Sequence, residues 1–119
     1  MAEPSGLTKT ETITDLAGAT HAWRQWLASE KRASDHTLSA YERDLEQFLD
    51  FLQDHLGATP GFPDLASLKP ADFRGYLARR VSKGYAKTST ARALSVVRGF
   101  FRFLERRGVL ANAAIFAIR

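Results

Sequence analysis

No cysteine occurs anywhere in this 119-residue chain. That excludes disulfides and any cysteine-ligated zinc, and it suits a reducing cytoplasm. Histidine is nearly as scarce. His21, His36 and His55 stand in three unrelated contexts without HxxxH or HxxE spacing, and they read as surface or cap residues. No metal, cofactor or small-molecule ligand is expected. No apolar run approaches the roughly 18 residues of a membrane span. Residues 1–14 are polar and lack an apolar signal core, so the expectation is a cytoplasmic protein with a loose N-terminal tail. No stretch alternates polar and apolar residues for long enough to make a strand, and the prolines fall between the helical stretches.

One further absence is local. From Phe73 to Leu104 there is no acid, while Arg74, Arg79, Arg80, Lys83, Lys87, Arg92, Arg98 and Arg102 all lie there. The rest of the chain holds nine basic residues against thirteen acids, for a net charge of +4. Ordinary solvated helices mix signs to form i,i+4 pairs, so a segregated basic block points to a polyanion. An anionic membrane would suit a pI near 9.8, but the basic face lacks the interleaved Trp and Phe anchors of an interfacial helix. Nucleic acid fits better.

The apolar spacing predicts an all-α fold: one compact bundle of four main amphipathic helices, with a possible short C-terminal helix. A first helix is expected over about Asp15–Lys31, capped by Thr14, and a second over Asp35–Leu56, ended by Gly57. The inner stripe of the second runs through Leu38, Tyr41, Leu45, Phe48, Leu49, Leu52 and Leu56. Residues 57–69 read as one long loop, with a helical turn near Asp64–Ser67. A third helix is placed at Pro70–Lys83, with Phe73, Tyr76, Leu77 and Val81 inward, and a fourth from Lys87 to about Arg107. Helical residues 15–111 would form the domain, and 112–119 would begin a linker or fray.

At 100° per residue, Leu94, Val97, Phe101 and Leu104 share one stripe of the fourth helix. Thr88, Ala91, Arg92, Ser95, Arg98, Gly99, Arg102 and Arg106 lie opposite. The short residues Thr88, Ala91, Ser95 and Gly99 would let that face approach a groove floor while flanking cations reach phosphates. Lys83, Lys87, Arg92, Arg98 and Arg102 are the phosphate candidates. The body of the second helix is acidic, through Glu42, Asp44, Glu46, Asp50 and Asp54, and would be repelled by phosphates. At its start, Ser34 reads first as a plain N-cap.

Together, ASDHTLSAYERDLEQFLDFL (33–52), PADFRGYLARRVSKGYA (70–86) and KTSTARALSVVRGFFRFLERRG (87–108) resemble the N-terminal, SAM-like core-binding domain of tyrosine recombinases. The resemblance covers about Leu16 to Arg119. It implies a helical domain forming one half of a C-shaped clamp on a double-stranded recombination half-site, with the second and fourth helices crossing near the major groove. Carried over by position, Thr37, Ser39, Ala40 and Arg43 would face DNA from the second helix. Lys87, Thr88, Thr90, Ala91 and Arg92 would do so from the fourth, although the wheel puts Thr90 nearer the apolar side.

In that family a tyrosine nucleophile with an Arg, Lys and His cluster belongs to a C-terminal domain, and forms a 3′-phosphotyrosyl intermediate without metal or cofactor. Tyr41, Tyr76 and Tyr85 match no such motif and read as packing residues. The expectation is therefore a monomeric fragment that binds DNA and does not cut it. Its full-length parent would work beside a related recombinase in a tetramer. Asn112-Ala113 stands where the family often has Asn-Pro. Two other readings are open: a helical module whose basic face docks an acidic protein, and a dimeric helix-turn-helix regulator.

Overall fold

Asp15, one residue beyond the expected cap, starts the first helix in the computed structural model, which describes residues 13–118. Its Oδ1 accepts the Gly18 N–H at 2.8 Å, and helix α1 runs Leu16–Ser29. Most of the expected N-terminal tail, residues 1–12, lies outside the described residues. Helix α2 is Asp35–Leu56, with Ser34 as its N-cap and Gly57 at φ +81°, a left-handed terminator that suits glycine.

The expected loop contains a true short helix, α3, at Phe62–Ser67. Helix α4 follows at Pro70–Ser82 and α5 at Lys87–Arg106, joined through Gly84 at φ +84°. A 3-10 turn spans Ala114–Ala117. Among the described residues there is no strand, and no helix is long and apolar enough to cross a membrane. The all-α expectation holds.

Helices α3 and α4 start in the same way. Asp64 reaches back to the Gly61 N–H at 2.8 Å, and Asp72 to the Lys69 N–H at 2.7 Å. The second Asp72 oxygen lies 2.7 Å from His55 Nε2. The backbone N–H of Lys69 first, and His55 second, hold the Asp72 carboxyl below its ordinary 3.8.

The core is aromatic. Phe48 is fully buried, with Phe73 stacked on it at 6.0 Å, Tyr76 edge-on at 5.2 Å and Phe101 edge-on at 6.3 Å. Trp23 meets Phe100 edge-on at 5.6 Å, and Trp26 meets Phe103, so α1 covers the opposite side of α5. Phe100 and Phe103 are therefore buried together with Phe101.

Two expected inward residues are not inward. Val81 is 69% exposed and Leu56 40% exposed. On the α4 wheel Phe73, Tyr76 and Arg80 share the inner stripe, and Val81 falls to one side of it.

The segment 112–119, expected to begin a linker and either to add a short helical turn or to fray, forms the 3-10 turn and is packed as far as Ile118. Ile115 and Ile118 are buried in the core. Asn112, itself buried, donates from Nδ2 to the Leu65 carbonyl at 2.8 Å and the Leu68 carbonyl at 3.0 Å, and its Oδ1 accepts the Ala114 N–H at 2.8 Å. One amide thus ties the end of α3 to the C-terminal turn. Asn112→Ala should cost about 2 kcal/mol in chemical denaturation, because the two carbonyls lose their buried donor. Asn112→Asp should cost more, since it aims a carboxylate at them. An aspartate variant as stable as the parent would show that this clamp carries no weight.

Candidate nucleic-acid interface

The basic block does not form one uniform outer face. Its cations divide according to what the fold brings against them, and α2 supplies acids that are far away in sequence. Asp44, almost fully buried, takes Arg92 in a two-pronged ion pair, with Nε at 2.8 Å and a terminal nitrogen at 3.1 Å. Asp54 pairs with Arg79 at 2.7 Å. Arg92 is thus not a free phosphate ligand, contrary to expectation. Asp44 holds its guanidinium even more firmly protonated than usual.

Arg80 is the larger departure. One of the eight cations of the basic block, it is only 3% exposed. One terminal nitrogen donates to Gln47 Oε1 at 2.7 Å, the other to Ser89 Oγ at 3.0 Å, and Nε to Thr90 Oγ1 at 3.3 Å. The guanidinium carbon sits 4.1 Å from the centroid of the Tyr85 ring. Gln47 in turn donates to the Tyr85 hydroxyl at 3.1 Å. Beside them Tyr76 reaches the Asp44 carbonyl at 3.4 Å, and its burial raises the phenol pKa. No described side-chain polar atom is left buried without a partner.

Farther along α5 the C-terminal segment touches the next two candidates. Arg98, half-buried, donates to the Ile118 carbonyl, and Arg102 lies over the Phe116 ring at 4.9 Å. Neither partner neutralises charge, so both arginines still add to the local potential. Arg98 is nonetheless engaged and is not the free outward arm expected, whereas Arg102 stays exposed with one face on Phe116.

What remains open lies at the α4–α5 turn and along the first turns of α5. Lys83 and Lys87 flank that turn, are exposed, and make no ion pair among the described residues. Asp50 lines the same small hollow as Lys83 without pairing with it. Thr88, Ala91 and Ser95 are exposed on the outer face, and α5 has no side-chain N-cap. Its first N–H groups therefore lack a side-chain cap at the positive end of the helix dipole.

On α2, Ser39 and Arg43 are exposed and Arg43 has no ion pair among the described residues. Thr37 is half-buried and serves the cap: its N–H donates to Ser34 Oγ at 3.1 Å, and its own Oγ1 accepts from that hydroxyl at 3.0 Å. Ala40 is only 8% exposed, so it cannot present a DNA-facing surface. It lies one turn before Asp44 on the side of α2 that meets α5. Thr90, turned towards Arg80, is likewise withdrawn from the outer face.

The residues missed by sequence reasoning are Gln47, Arg80, Tyr85 and Ser89. A signal existed for Arg80, at the centre of the Phe73–Tyr76 stripe. None existed for Gln47 or Ser89, whose roles come only from the meeting of three helices.

Residues 21–108 match the family described as phage integrase, N-terminal SAM-like domain. Among curated proteins, the chain is 47% identical over 105 residues to "Tyrosine recombinase XerC" of Mesorhizobium japonicum, covering 88% of this chain and 34% of that protein. It is 50% identical over 94 residues to the protein of that name from Rhizobium meliloti, covering 76% and 29%. Against the Rhodospirillum centenum protein it is 44% identical over 101 residues, covering 85% and 30%. The chain therefore spans about a third of the length of these relatives. No solved structure matches it. With the match extending from within α1 to the glycine just past α5, this chain belongs to the phage integrase N-terminal SAM-like domain family.

Proposed function

We propose that this domain binds double-stranded DNA, as one half of a clamp on the recombination half-site of a XerC-type tyrosine recombinase. The observation that carries the reading is the α4–α5 turn. There Lys83 and Lys87, without carboxylate partners among the described residues, flank the uncapped start of a helix whose outer face is Thr88, Ala91 and Ser95. Cations at the edge and short side chains between them suit phosphates at the rim of a groove and base edges on its floor. Ser39 and Arg43 would approach from α2.

The whole protein, in this reading, cuts and rejoins strands through a tyrosine in a separate catalytic domain. It acts in the cytoplasm on a dif-like site, within a heterotetramer that includes a XerD-like partner. The protein-docking alternative is less favoured, because Phe100, Phe101 and Phe103 of α5 are all buried and the one exposed aromatic at the turn, Tyr85, is held against the Arg80 guanidinium.

Fluorescence anisotropy of labelled half-site and scrambled duplexes across a salt series tests this. Salt-sensitive binding to both, with preference for the half-site, is expected. Absence of binding at low salt would overturn the reading in favour of protein docking. Lys83→Ala with Lys87→Ala should flatten the log–log salt slope by about 1.8, at roughly 0.9 for each phosphate no longer neutralised. An unchanged slope would remove this turn from the interface.

A further inference from the structure

The geometry points to Arg80 as a positioning residue for DNA recognition: buried, touching no DNA itself, it fixes the first turns of α5 against α2. This inference rests on the DNA-binding reading above. An arginine 3% exposed carries a large desolvation penalty, and among the described residues no carboxylate lies within ion-pair distance to offset it. Neutral dipoles and two aromatic rings hold it instead. If packing alone were needed, an aliphatic residue on the Phe73–Tyr76 stripe would fill the space without that penalty.

What the guanidinium supplies is a planar fork with donors in fixed directions. Its three nitrogens reach α2 at Gln47 and α5 at Ser89 and Thr90, while its face carries Tyr85 of the connecting turn. Ser89 and Thr90 are the residues directly after Thr88 and directly before Ala91. The fork therefore grips the inner side of the turn whose outer side carries Thr88 and Ala91. Lys87 lies two residues from Ser89, so rotation of this turn about the helix axis would move all three exposed residues together. Arg80 opposes that rotation. Base readout depends on such placement, whereas attraction to phosphates depends mainly on charge.

Arg80→Lys and Arg80→Gln, with Ser89→Ala as a milder cut that leaves the arginine in place, separate these roles. Circular dichroism first establishes that each variant is folded, and anisotropy then gives the half-site to scrambled affinity ratio and the salt slope. Both Arg80 variants should lower the ratio by about tenfold, the size of one misread base pair, with the salt slope changed by less than the equivalent of one phosphate. Ser89→Ala should lower it in the same direction by a smaller factor. If Arg80→Lys restores the parental ratio, charge and not the fork is what matters, and the inference is overturned. If the Arg80 variants fail to fold, Ser89→Ala decides it: an unchanged ratio overturns the inference. If the parent chain itself binds no DNA, the functional reading fails instead.

Discussion

Phe48→Ala is expected to remove about 3–5 kcal/mol of folding stability, enough to lower the melting temperature by roughly 15 °C. The phenyl ring is fully buried and lies between rings from two other helices, Phe73 and Tyr76 on α4 and Phe101 on α5. Truncation forfeits the transfer free energy of the ring and leaves a cavity whose walls are themselves aromatic. Flat, rigid side chains do not collapse easily into such a space, which places the cost in the upper part of the range. For a domain whose total stability is of order 5–15 kcal/mol, the variant should be only marginally folded at about 37 °C. Urea denaturation followed by tryptophan fluorescence measures it, because Trp23 packs on Phe100 of the same core. A loss below about 1 kcal/mol would mean that the four rings do not form the centre of the fold.

Arg92→Ala carries the second large effect, and its purpose is to separate two roles for one cation. If Arg92 were a phosphate ligand, its removal would leave stability nearly unchanged and weaken DNA binding. Paired with Asp44, it should do the reverse. The substitution strands a carboxylate that is 2% exposed, at an expected cost of about 2–3 kcal/mol. That is less than for a fully buried pair, because the arginine side chain is 44% exposed and water can reach its place.

A double-mutant cycle with Asp44→Ala should give a coupling of about 1.5–3 kcal/mol, with the double variant more stable than additivity predicts. Zero coupling, together with a reduced salt slope for DNA, would return Arg92 to the phosphate-contacting set.

These residues show where the chain is legible and where it is not. Helix periodicity and terminator chemistry are local, so α2 can be read from Ser34 to Gly57 to the residue. The same local logic misleads at α4. Hydrophobicity favours Val81 for the inward stripe, although the wheel centres on Arg80, and a buried arginine contradicts composition more than it contradicts geometry. Thr14 is the cap expected from sequence, and the hydrogen bond to Gly18 gives that place to Asp15.

The basic block is legible as an excess of charge but not as the divided surface it forms. Its neutralising partners Asp44 and Asp54 lie 48 and 25 residues away from Arg92 and Arg79, a distance at which no local pattern operates. The packing of the C-terminal turn is similarly hidden. An Ala-rich, uncapped segment has little helical tendency of its own, and it is ordered here through Asn112, Ile115 and Ile118 acting on the rest of the domain.

The contacts of that turn with Arg98 and Arg102 have a reciprocal side. The carbonyl of Ile118 and the ring of Phe116 occupy directions in which those two guanidinium groups would otherwise meet an anion. A polyanion that takes those directions competes with the C-terminal turn, most directly at half-buried Arg98, and its apparent affinity is lowered by the free energy of any displacement. By linkage the converse holds with equal magnitude: whatever pulls the tail away strengthens anion binding at α5 by the same factor. The end of the domain and its charged helix are in this sense competitors for one pair of side chains, and neither can be altered without the other responding.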